Sequence, residues 1–438
     1  MAKPRAALTI LPLFWPKMPP IGLGFLQGFL QKNGLGADIL DLNNLFYNLA
    51  DEGLKSQWLK SCNVELEENI FGVIQANYPQ EFAAALDKLL SYESIGLSCF
   101  KSNLAATLEF GRLLKSKRKD IRIILGGPEI TRLFFKGGGK FAAEILQLAD
   151  FLVAGEGETP LLDYLNGGNS RKVAEFEQLP DLEALDFPRY QGISISSYPK
   201  RESIPLQFSR GCVRKCGFCS ERLLYKGFRT RTVESVIEEI SYHRENNHTA
   251  DFVFFDSLIN ADLGQLEALC DKIRKNFGSI NWEAQIAVRR DMRQEIFEKM
   301  KASGCYNLFL GLESGSDRIL KKMNKGFTSK DALDFFRRLN QAGLSFGISI
   351  ITGFPGETEA DFRESLDFVI RNRGLIPKIE QVNPFIYYDG TAADKKADYK
   401  LNPESLRRME TFVREIKDNN FKFTNAFLGN LIEKNAGV

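Results

Sequence analysis

The sequence predicts an α/β protein with two parallel sheets: a doubly wound sheet, then a partial six-stranded barrel, then a short helical tail. Two observations predict this fold class. Strand-length apolar runs alternate with amphipathic helices along most of the chain. Three cysteines, Cys212, Cys216 and Cys219, follow directly on one of the predicted strands. Ligands of such folds bind at the C-terminal ends of the strands, so we expect the functional residues just after them.

Composition bounds the class of protein. The chain has 438 residues, enough for two or three domains, and its 44% hydrophobic and 26% charged residues are typical of a globular protein in water. The net charge of +2, without a long block of one sign, argues against a nucleic-acid partner. The apolar runs are strand-length, so no membrane span is predicted. Free cysteines favour a reducing compartment, which predicts a cytoplasmic protein.

The first predicted domain covers residues 1–168 and resembles a Rossmann-like unit. A helical insertion over 43–90, rich in aromatic and acidic residues, interrupts it. Residues 169–194 are polar, contain two X-Pro turns and are interpreted as a linker. The five predicted strands of the domain are 6–11, 37–42, 94–98, 121–125 and 151–154.

The second predicted domain covers residues 195–390, and a helical extension, residues 391–438, follows it. Between its strands run helices with clean apolar stripes, such as the one carrying Leu266, Leu269 and Ile273. Six strand–helix units indicate a partial parallel barrel. Its six predicted strands are 204–208, 251–255, 281–287, 307–311, 345–351 and 379–383.

The three cysteines are spaced C-x3-C-x2-C on one loop. Three thiolates can hold three irons of a 4Fe-4S cluster and leave the fourth iron open to a ligand. A zinc site needs a fourth ligand, and no Cys or His lies near enough in sequence to supply one. A disulfide framework needs cysteine pairs. A non-catalytic iron–sulfur carrier or sensor remains an alternative.

The cysteine loop resembles the signature of the radical S-adenosylmethionine (SAM) superfamily. Arg210-Gly211 precedes the first cysteine, and Phe218 precedes the last. The resemblance implies that the open iron binds the amino and carboxylate groups of SAM. It also implies that one electron cleaves SAM to a 5'-deoxyadenosyl radical, and that Phe218 packs near the adenine.

Polar residues follow the other barrel strands. Asp256, Gln285, Arg289, Glu313 and Ser314 are therefore candidate cofactor-binding residues, although Ser314 alone could be a helix cap. A carboxylate can accept both ribose hydroxyls of SAM, and an arginine can pair with its carboxylate. Three segments of this domain resemble the cobalamin-linked radical SAM subfamily: the residues around Glu313, the run 323–326 and the turn 353–357. This implies that Glu313 binds the ribose, Arg289 the carboxylate and the Asp256 region the methionine end.

Glycine turns in the first domain resemble the cobalamin-binding domain of that subfamily. They are Pro20-x-Gly22, Gly126-Gly127-Pro128 and Gly155-Glu156-Gly157-Glu158, and taken alone they could be ordinary turns. The resemblance implies a corrin lying on the strand ends. For Cys99, packing in the core is an alternative. The implied cobalamin contacts are Leu13, Phe14, Ser98, Cys99, Gly126, Gly127, Gly155 and Glu156, and Cys99 is the one for which core packing would replace a cobalamin contact.

Histidine is scarce. The chain has two, His243 and His248, both in a polar segment at a helix end, where exposed side chains are expected. The loop Pro12–Pro20 after the first strand contains none. We therefore expect base-off cobalamin with no histidine on the cobalt and an apolar lower face built from Leu13, Phe14 or Trp15.

The resemblance implies a cobalamin-dependent radical SAM enzyme that methylates an unactivated carbon of a small molecule or natural product. One SAM supplies the methyl group through cobalamin, and a second supplies the radical. Ring formation, ring contraction or oxidation without methyl transfer is the alternative enzyme activity. A protein electron donor such as flavodoxin or ferredoxin is the expected partner. The sequence contains nothing that identifies the substrate.

Overall fold

A computed structural model describes residues 6–59, 64–168, 171–200, 203–388, 390–393 and 403–424. The chain forms two compact units. The first runs to residue 203 and includes 223–226, and the second holds 204–222 and the chain from 227 onward. The predicted domain boundaries near 168 and 195 stay predictions.

The first unit contains a six-stranded parallel sheet with the order β2-β1-β3-β4-β5-β6. The strand order reverses direction at β1, which lies between β2 and β3. In open parallel sheets this reversal leaves a crevice beyond the strand ends where ligands bind. The strands are β1 Ala6–Ile10, β2 Ala37–Asp41, β3 Ser94–Ser98, β4 Arg122–Gly126, β5 Phe151–Gly155 and β6 Val173–Glu177.

Helices cover both faces of this sheet because alternate strand residues are apolar on both sides. Ala7, Ile95 and Leu97 face one buried cluster, whereas Leu8 and Ile10 face another. Short 3-10 helices lie at 101–103, 182–184 and 195–197. The α-helices are α1 Ile21–Lys32, α2 Leu42–Leu49, α3 Glu52–Trp58, α4 Val64–Asn77, α5 Pro79–Leu90, α6 Leu104–Lys117, α7 Pro128–Lys136, α8 Ala143–Leu148 and α9 Glu158–Leu165.

The doubly wound sheet predicted from the sequence is confirmed, and the insertion over 43–90 consists of α2 to α5. The structure differs from the prediction in the segment interpreted as a linker. Residues 173–177 form β6 there and pair in parallel with β5. This strand was missed because its five residues, Val-Ala-Glu-Phe-Glu, lie between polar and glycine-rich stretches and show too little alternation.

The second unit contains a seven-stranded sheet with the order β15-β14-β13-β12-β11-β10-β7, and its pairings from β10 to β15 are parallel. A two-stranded antiparallel ribbon joins β8 to β9. The strands are β7 Ser203–Leu206, β8 Ser209–Arg210, β9 Arg229–Thr230, β10 Asp251–Phe254, β11 Asn281–Ile286, β12 Cys305–Glu313, β13 Phe346–Thr352, β14 Lys378–Pro384 and β15 Lys422–Phe423.

Helices connect these strands, and two of them begin at capping boxes. Thr328 and Thr358 each accept a hydrogen bond from the N–H of the third helical residue, whose carboxylate bonds back to the threonine N–H. The six predicted strands of the parallel unit are confirmed, and β15 in the tail was not foreseen. The helices are α10 Glu221–Leu224, α11 Val233–Asn246, α12 Leu263–Phe277, α13 Gln294–Ala302, α14 Asp317–Lys322, α15 Ser329–Gln341, α16 Glu359–Arg371 and α17 Pro403–Asp418.

Candidate active site

The three cysteines of the C-x3-C-x2-C loop line one cavity of about 240 Å³ in the second unit. The cavity lies at the C-terminal ends of β7, β10, β11 and β12, because each strand or the loop after it supplies part of the wall. This is the edge where ligands of parallel α/β folds bind. The wall also includes Phe218, Glu221, Phe255, Ser257, Leu258, Gln285, Gly311, Glu313, Lys325 and Phe327.

The cysteine loop is anchored mainly by its backbone. Gly217 N donates to the carbonyl of Met323 over 2.9 Å, and Asn324 Nδ2 donates to the Lys215 carbonyl over 2.7 Å. Arg214 donates from Nη2 to the carbonyl of Val288 over 2.5 Å. These bonds leave the thiol side chains of the loop facing the cavity.

The thiols suit a cluster better than a single ion. Within the described parts of the chain, no three His, Cys, Asp or Glu side chains converge closely enough to hold one metal ion. Thiolates of an iron–sulfur cluster each bind a different iron, so they need to line a common cavity without meeting at one point. Burial raises the pKa of Cys219 to about 11 and also raises that of Cys212, so cluster binding must release protons.

Glu313 ends β12 with its carboxylate at the cavity wall. Its backbone lies in the left-handed region, at φ +70°, which is strained for a residue other than glycine. Lys325 Nζ lies 3.3 Å from Oε1, and Ser349 Oγ donates to Oε2 over 2.9 Å. The carboxylate folds back over Gly311, where an added Cβ would meet Oε1 at 2.4 Å. The turn therefore holds an anion at the position where the sequence predicted a ribose contact.

Asp256 lies beneath the cysteine loop. It is fully buried and accepts hydrogen bonds from the backbone N–H groups of Phe208 and Ser209, over 3.0 and 2.6 Å, and from the Ser209 hydroxyl. Burial raises the pKa of this carboxyl to about 6, and those hydrogen bonds oppose the rise. The contacts define Asp256 as an anchor of the chain entering the loop. Its neighbour Ser257 lines the cavity instead.

Arg289 lines an adjoining cavity of about 430 Å³, which shares part of its wall with the cysteine cavity but contains none of the three cysteines. Its Nη1 donates to the carbonyls of Asn260 and Ala261 over 2.8 and 2.6 Å, and Nε and Nη2 donate to Asp291. A contact with a SAM carboxylate would have to compete with these bonds. Gln285, in contrast, lines the cysteine cavity as the sequence suggested.

Ser314 is fully buried, and its hydroxyl bonds Ser365 Oγ on α16 over 2.7 Å. It also accepts from the N–H of Ser316 over 3.1 Å, a turn contact just before α14, whose N-cap residue is Ser316 and not Ser314. Its predicted cofactor contact stays a prediction, and the structure places its side chain in the core.

Four predicted cobalamin contacts flank the crevice beside β1 in the first unit. Leu13 and Phe14 follow β1, whereas Ser98 ends β3 and Cys99 follows it. The Leu13 carbonyl accepts from Ser102 Oγ over 2.6 Å, and the ring of Phe14 lies 4.4 Å from that of Phe100. Phe14 is half-buried and Trp15 is exposed, so apolar surface is available at this edge.

The side chain of Cys99 has no exposed surface and belongs to the core beneath the sheet. Burial raises the pKa of its thiol far above the usual range. Only its backbone could touch a ligand, so core packing, the alternative considered from the sequence, accounts for the side chain. The backbone of Cys99 also packs closely against Gly127, whose φ is +101°. A Cβ added to Gly127 would lie 2.9 Å from Cys99 N.

The remaining glycine turns end β4 and β5. Gly126 accepts from Cys99 N over 2.8 Å, and Gly155 N donates to the Thr131 hydroxyl over 2.9 Å. Glu156 is buried, and its Oε2 accepts from Leu179 N over 2.7 Å. The glycines thus bring backbone close to backbone at the sheet edge, while the Glu156 carboxylate anchors the following chain.

The expectation that His243 is exposed was wrong. It is fully buried on α11 beside Glu239, because it occupies the inward face of the helix. Of the cysteines outside the loop and the first-unit crevice, Cys270 and Cys305 are buried in the core, and Cys62 lies outside the described residues.

Sequence reasoning did not assign Lys325 and Ser349, although both contact Glu313. Lys325 was visible only as part of the Met-Asn-Lys-Gly run, and Ser349 lies in a strand that reads as core. Glu221 and Ser257, hydrogen-bonded to each other in the cavity wall, were also missed. The one usable signal was the Asn-Lys-Gly turn, since a polar turn beside a predicted site is a candidate for binding.

Residues 206–369 match the family model described as the radical SAM superfamily, so this part of the chain is a radical SAM domain. The resemblance of the cysteine loop to the radical SAM signature is thereby confirmed. A radical SAM domain implies a 4Fe-4S cluster and SAM, and the loop and cavity described above are where this chain can hold them. Among the described residues, no helix is long and apolar enough to cross a membrane.

The chain is 24% identical over 311 residues to an uncharacterized methyltransferase of Pyrococcus horikoshii, an alignment that covers 65% of each protein. Its fold is similar to that of the cobalamin-dependent SAM radical enzyme OxsB, solved with aqua-cobalamin and SAM. That match has a TM-score of 0.66 and 17% identity, and covers 95% of this chain and 56% of OxsB.

The fold is also similar to that of the radical SAM methyltransferase TsrM from Kitasatospora setae, solved with cobalamin and a 4Fe-4S cluster. The TM-score is 0.67 at 16% identity, with 89% of this chain and 77% of TsrM covered. The chain therefore has the fold of cobalamin-dependent radical SAM enzymes, as the sequence predicted. It spans less than two thirds of the length of the Pyrococcus relative and of OxsB.

Proposed function

We propose that the protein is a cobalamin-dependent radical SAM methyltransferase acting on an unactivated carbon of a small molecule. The observation that carries the proposal is the shared cavity of three thiols and the Glu313–Lys325 pair, within the radical SAM domain. The methyltransferase relatives and the fold support the reaction type. A cytoplasmic location follows from the oxygen sensitivity of such a cluster.

The proposed roles of this chain's residues follow from their placement. A bound cluster supplies one-electron cleavage of SAM, and a bound cobalamin supplies methyl transfer. Cys212, Cys216 and Cys219 would hold the cluster, Glu313 would accept the ribose hydroxyls, and the Phe218 ring would pack against the adenine. Phe255 and Phe327 line the same cavity and would limit the entry of water. The electron would come from a small donor protein such as flavodoxin or ferredoxin.

The stoichiometry of turnover tests methyl transfer. Because the proposed reaction uses one SAM as methyl donor and one as radical source, S-adenosylhomocysteine and 5'-deoxyadenosine should form in a ratio of about one to one. The measurement is chromatography of reaction mixtures with methyl-labelled SAM and candidate substrates, with mass spectrometry of the product. Formation of 5'-deoxyadenosine alone, with a product of unchanged mass or fewer hydrogens, would favour ring formation or oxidation instead. Absence of SAM binding would favour a non-catalytic iron–sulfur protein.

We further propose that the cobalamin is base-off and carries no protein nitrogen. The loop after β1 contains no histidine, and the apolar Leu13 and Phe14 occupy it. An apolar face leaves the cobalt weakly ligated, which suits methyl donation because a strong lower ligand stabilises the alkylated metal. Electron paramagnetic resonance of the cob(II)alamin form should therefore show no strong axial nitrogen splitting. A clear imidazole splitting would contradict this proposal.

A further inference from the structure

We infer that Lys325 is a positioning residue that fixes the Glu313 carboxylate for its contact with the ribose of SAM, an inference that rests on the proposed function. Lys325 lies on the loop after α14, twelve residues from Glu313 in sequence, and the fold brings the two side chains together in the wall of the cysteine cavity. Three features of the structure support the inference: the contacts of the carboxylate, the surroundings of the ammonium, and the anchoring of its loop.

Two hydrogen bonds hold the Glu313 carboxylate, one on each oxygen, but they do not use all of its acceptor sites. Lys325 Nζ donates to Oε1 over 3.3 Å, and Ser349 Oγ donates to Oε2 over 2.9 Å. A carboxylate has about four lone-pair sites, so each oxygen keeps acceptor capacity after these two bonds. Two adjacent acceptor oxygens match the two hydroxyls of a vicinal diol. The two donors therefore leave Glu313 oriented and still able to bind one.

The ammonium of Lys325 has few alternatives to Glu313. Its side chain and that of Glu313 are each only 11% exposed, so water competes weakly for the pair. Nζ also lies 5.8 Å from the ring centroid of Phe218 and 5.7 Å from that of Phe327, at distances where ring faces attract a cation. Arg214, the other cation of the wall, is committed to the Val288 carbonyl.

The position of Lys325 is set by the cysteine loop itself. Its carbonyl accepts from Arg214 Nη1 over 3.3 Å, and the preceding Met323 and Asn324 bond Gly217 and Lys215. Gly326 has a φ of +74°, and an added Cβ there would meet Arg214 Nη1 at 2.7 Å. The turn 323–326 thus contacts both the cysteine loop and, through Lys325, the Glu313 carboxylate. The groups that would bind the two ends of SAM are therefore fixed by the same turn.

Calorimetric SAM binding to the cluster-reconstituted protein tests the inference without turnover. Lys325→Met should weaken SAM binding by about 10- to 100-fold, because a charge-assisted hydrogen bond to the carboxylate is lost. Lys325→Arg should recover most of the affinity. Lys321 is an exposed lysine near the end of α14, and Lys321→Met should bind SAM like the wild type. Cluster content should stay unchanged in all three variants.

A double-mutant comparison separates positioning from a merely structural role. If Lys325 acts through Glu313, Lys325→Met should weaken SAM binding in the wild type but add little further loss in Glu313→Gln. Equal SAM affinity in wild type and Lys325→Met would overturn the inference, and so would a loss of cluster from Lys325→Met with unchanged affinity per cluster. A wild-type protein that binds a cluster but no SAM would instead refute the proposed function.

Discussion

The variant with Cys212, Cys216 and Cys219 all changed to Ala should lose the visible absorbance of the cluster completely and form no 5'-deoxyadenosine. The three thiols face one cavity at the end of β7, and within the described residues the structure offers no other group of three ligands for a metal. Removing all three removes every protein bond that the proposed cluster would have. Absorbance and iron content after anaerobic reconstitution, with assay of 5'-deoxyadenosine, provide the measurement.

Cys270→Ala is the matched control. Cys270 is a buried free cysteine on α12 and takes no part in the cavity, so its loss should cost some stability and leave the cluster intact. An iron–sulfur spectrum that survives in the triple variant would contradict the assignment of the ligands. Loss of the spectrum in Cys270→Ala would show that absorbance reports folding instead of ligation.

Gly353→Ala should lower the free energy of unfolding of the second unit by about 3–5 kcal/mol, by overpacking added to backbone strain. Gly353 follows β13 at a φ of +73°, and an added Cβ would lie 1.8 Å from Ser405 Oγ and 2.7 Å from Ser405 Cα. Ser405 is buried on α17, and its carbonyl accepts from the Thr352 hydroxyl over 3.0 Å. The methyl group would therefore displace α17 from the end of β13.

Gly227→Ala separates the two causes. Gly227 lies in the same unit and also has a positive φ, +83°, but nothing lies within 4 Å of an added Cβ. Only the backbone strain of the positive φ applies there, about 1–2 kcal/mol. Denaturant unfolding of both variants measures the difference. Equal destabilisation by the two substitutions would mean that the packing of α17 on this turn contributes little.

The sequence by itself determined the class of fold and the identity of the cluster loop. Both signals are local: hydrophobic periodicity marks strands and helices, and three cysteines within eight positions must lie on one loop. The expectation that Glu313, at the end of a barrel strand, is a functional residue followed from the rule that parallel strands present their C-terminal ends together. Gln285 and Glu313 were both named as candidates by this rule, and both line the cysteine cavity.

Only the tertiary structure decided which polar groups face the cavity. Asp256, Arg289 and Ser314 lie just beyond strand ends, close to where Glu313 ends β12. Yet Asp256 accepts from backbone N–H groups, Arg289 donates to carbonyls, and Ser314 bonds a residue of α16. Sequence position fixes the end of a strand but not the direction of a side chain there. Lys325 follows a helix and not a strand, yet its side chain lines the cavity because it contacts Glu313 on another element. Contacts between residues distant in sequence depend on packing, and no local pattern encodes them.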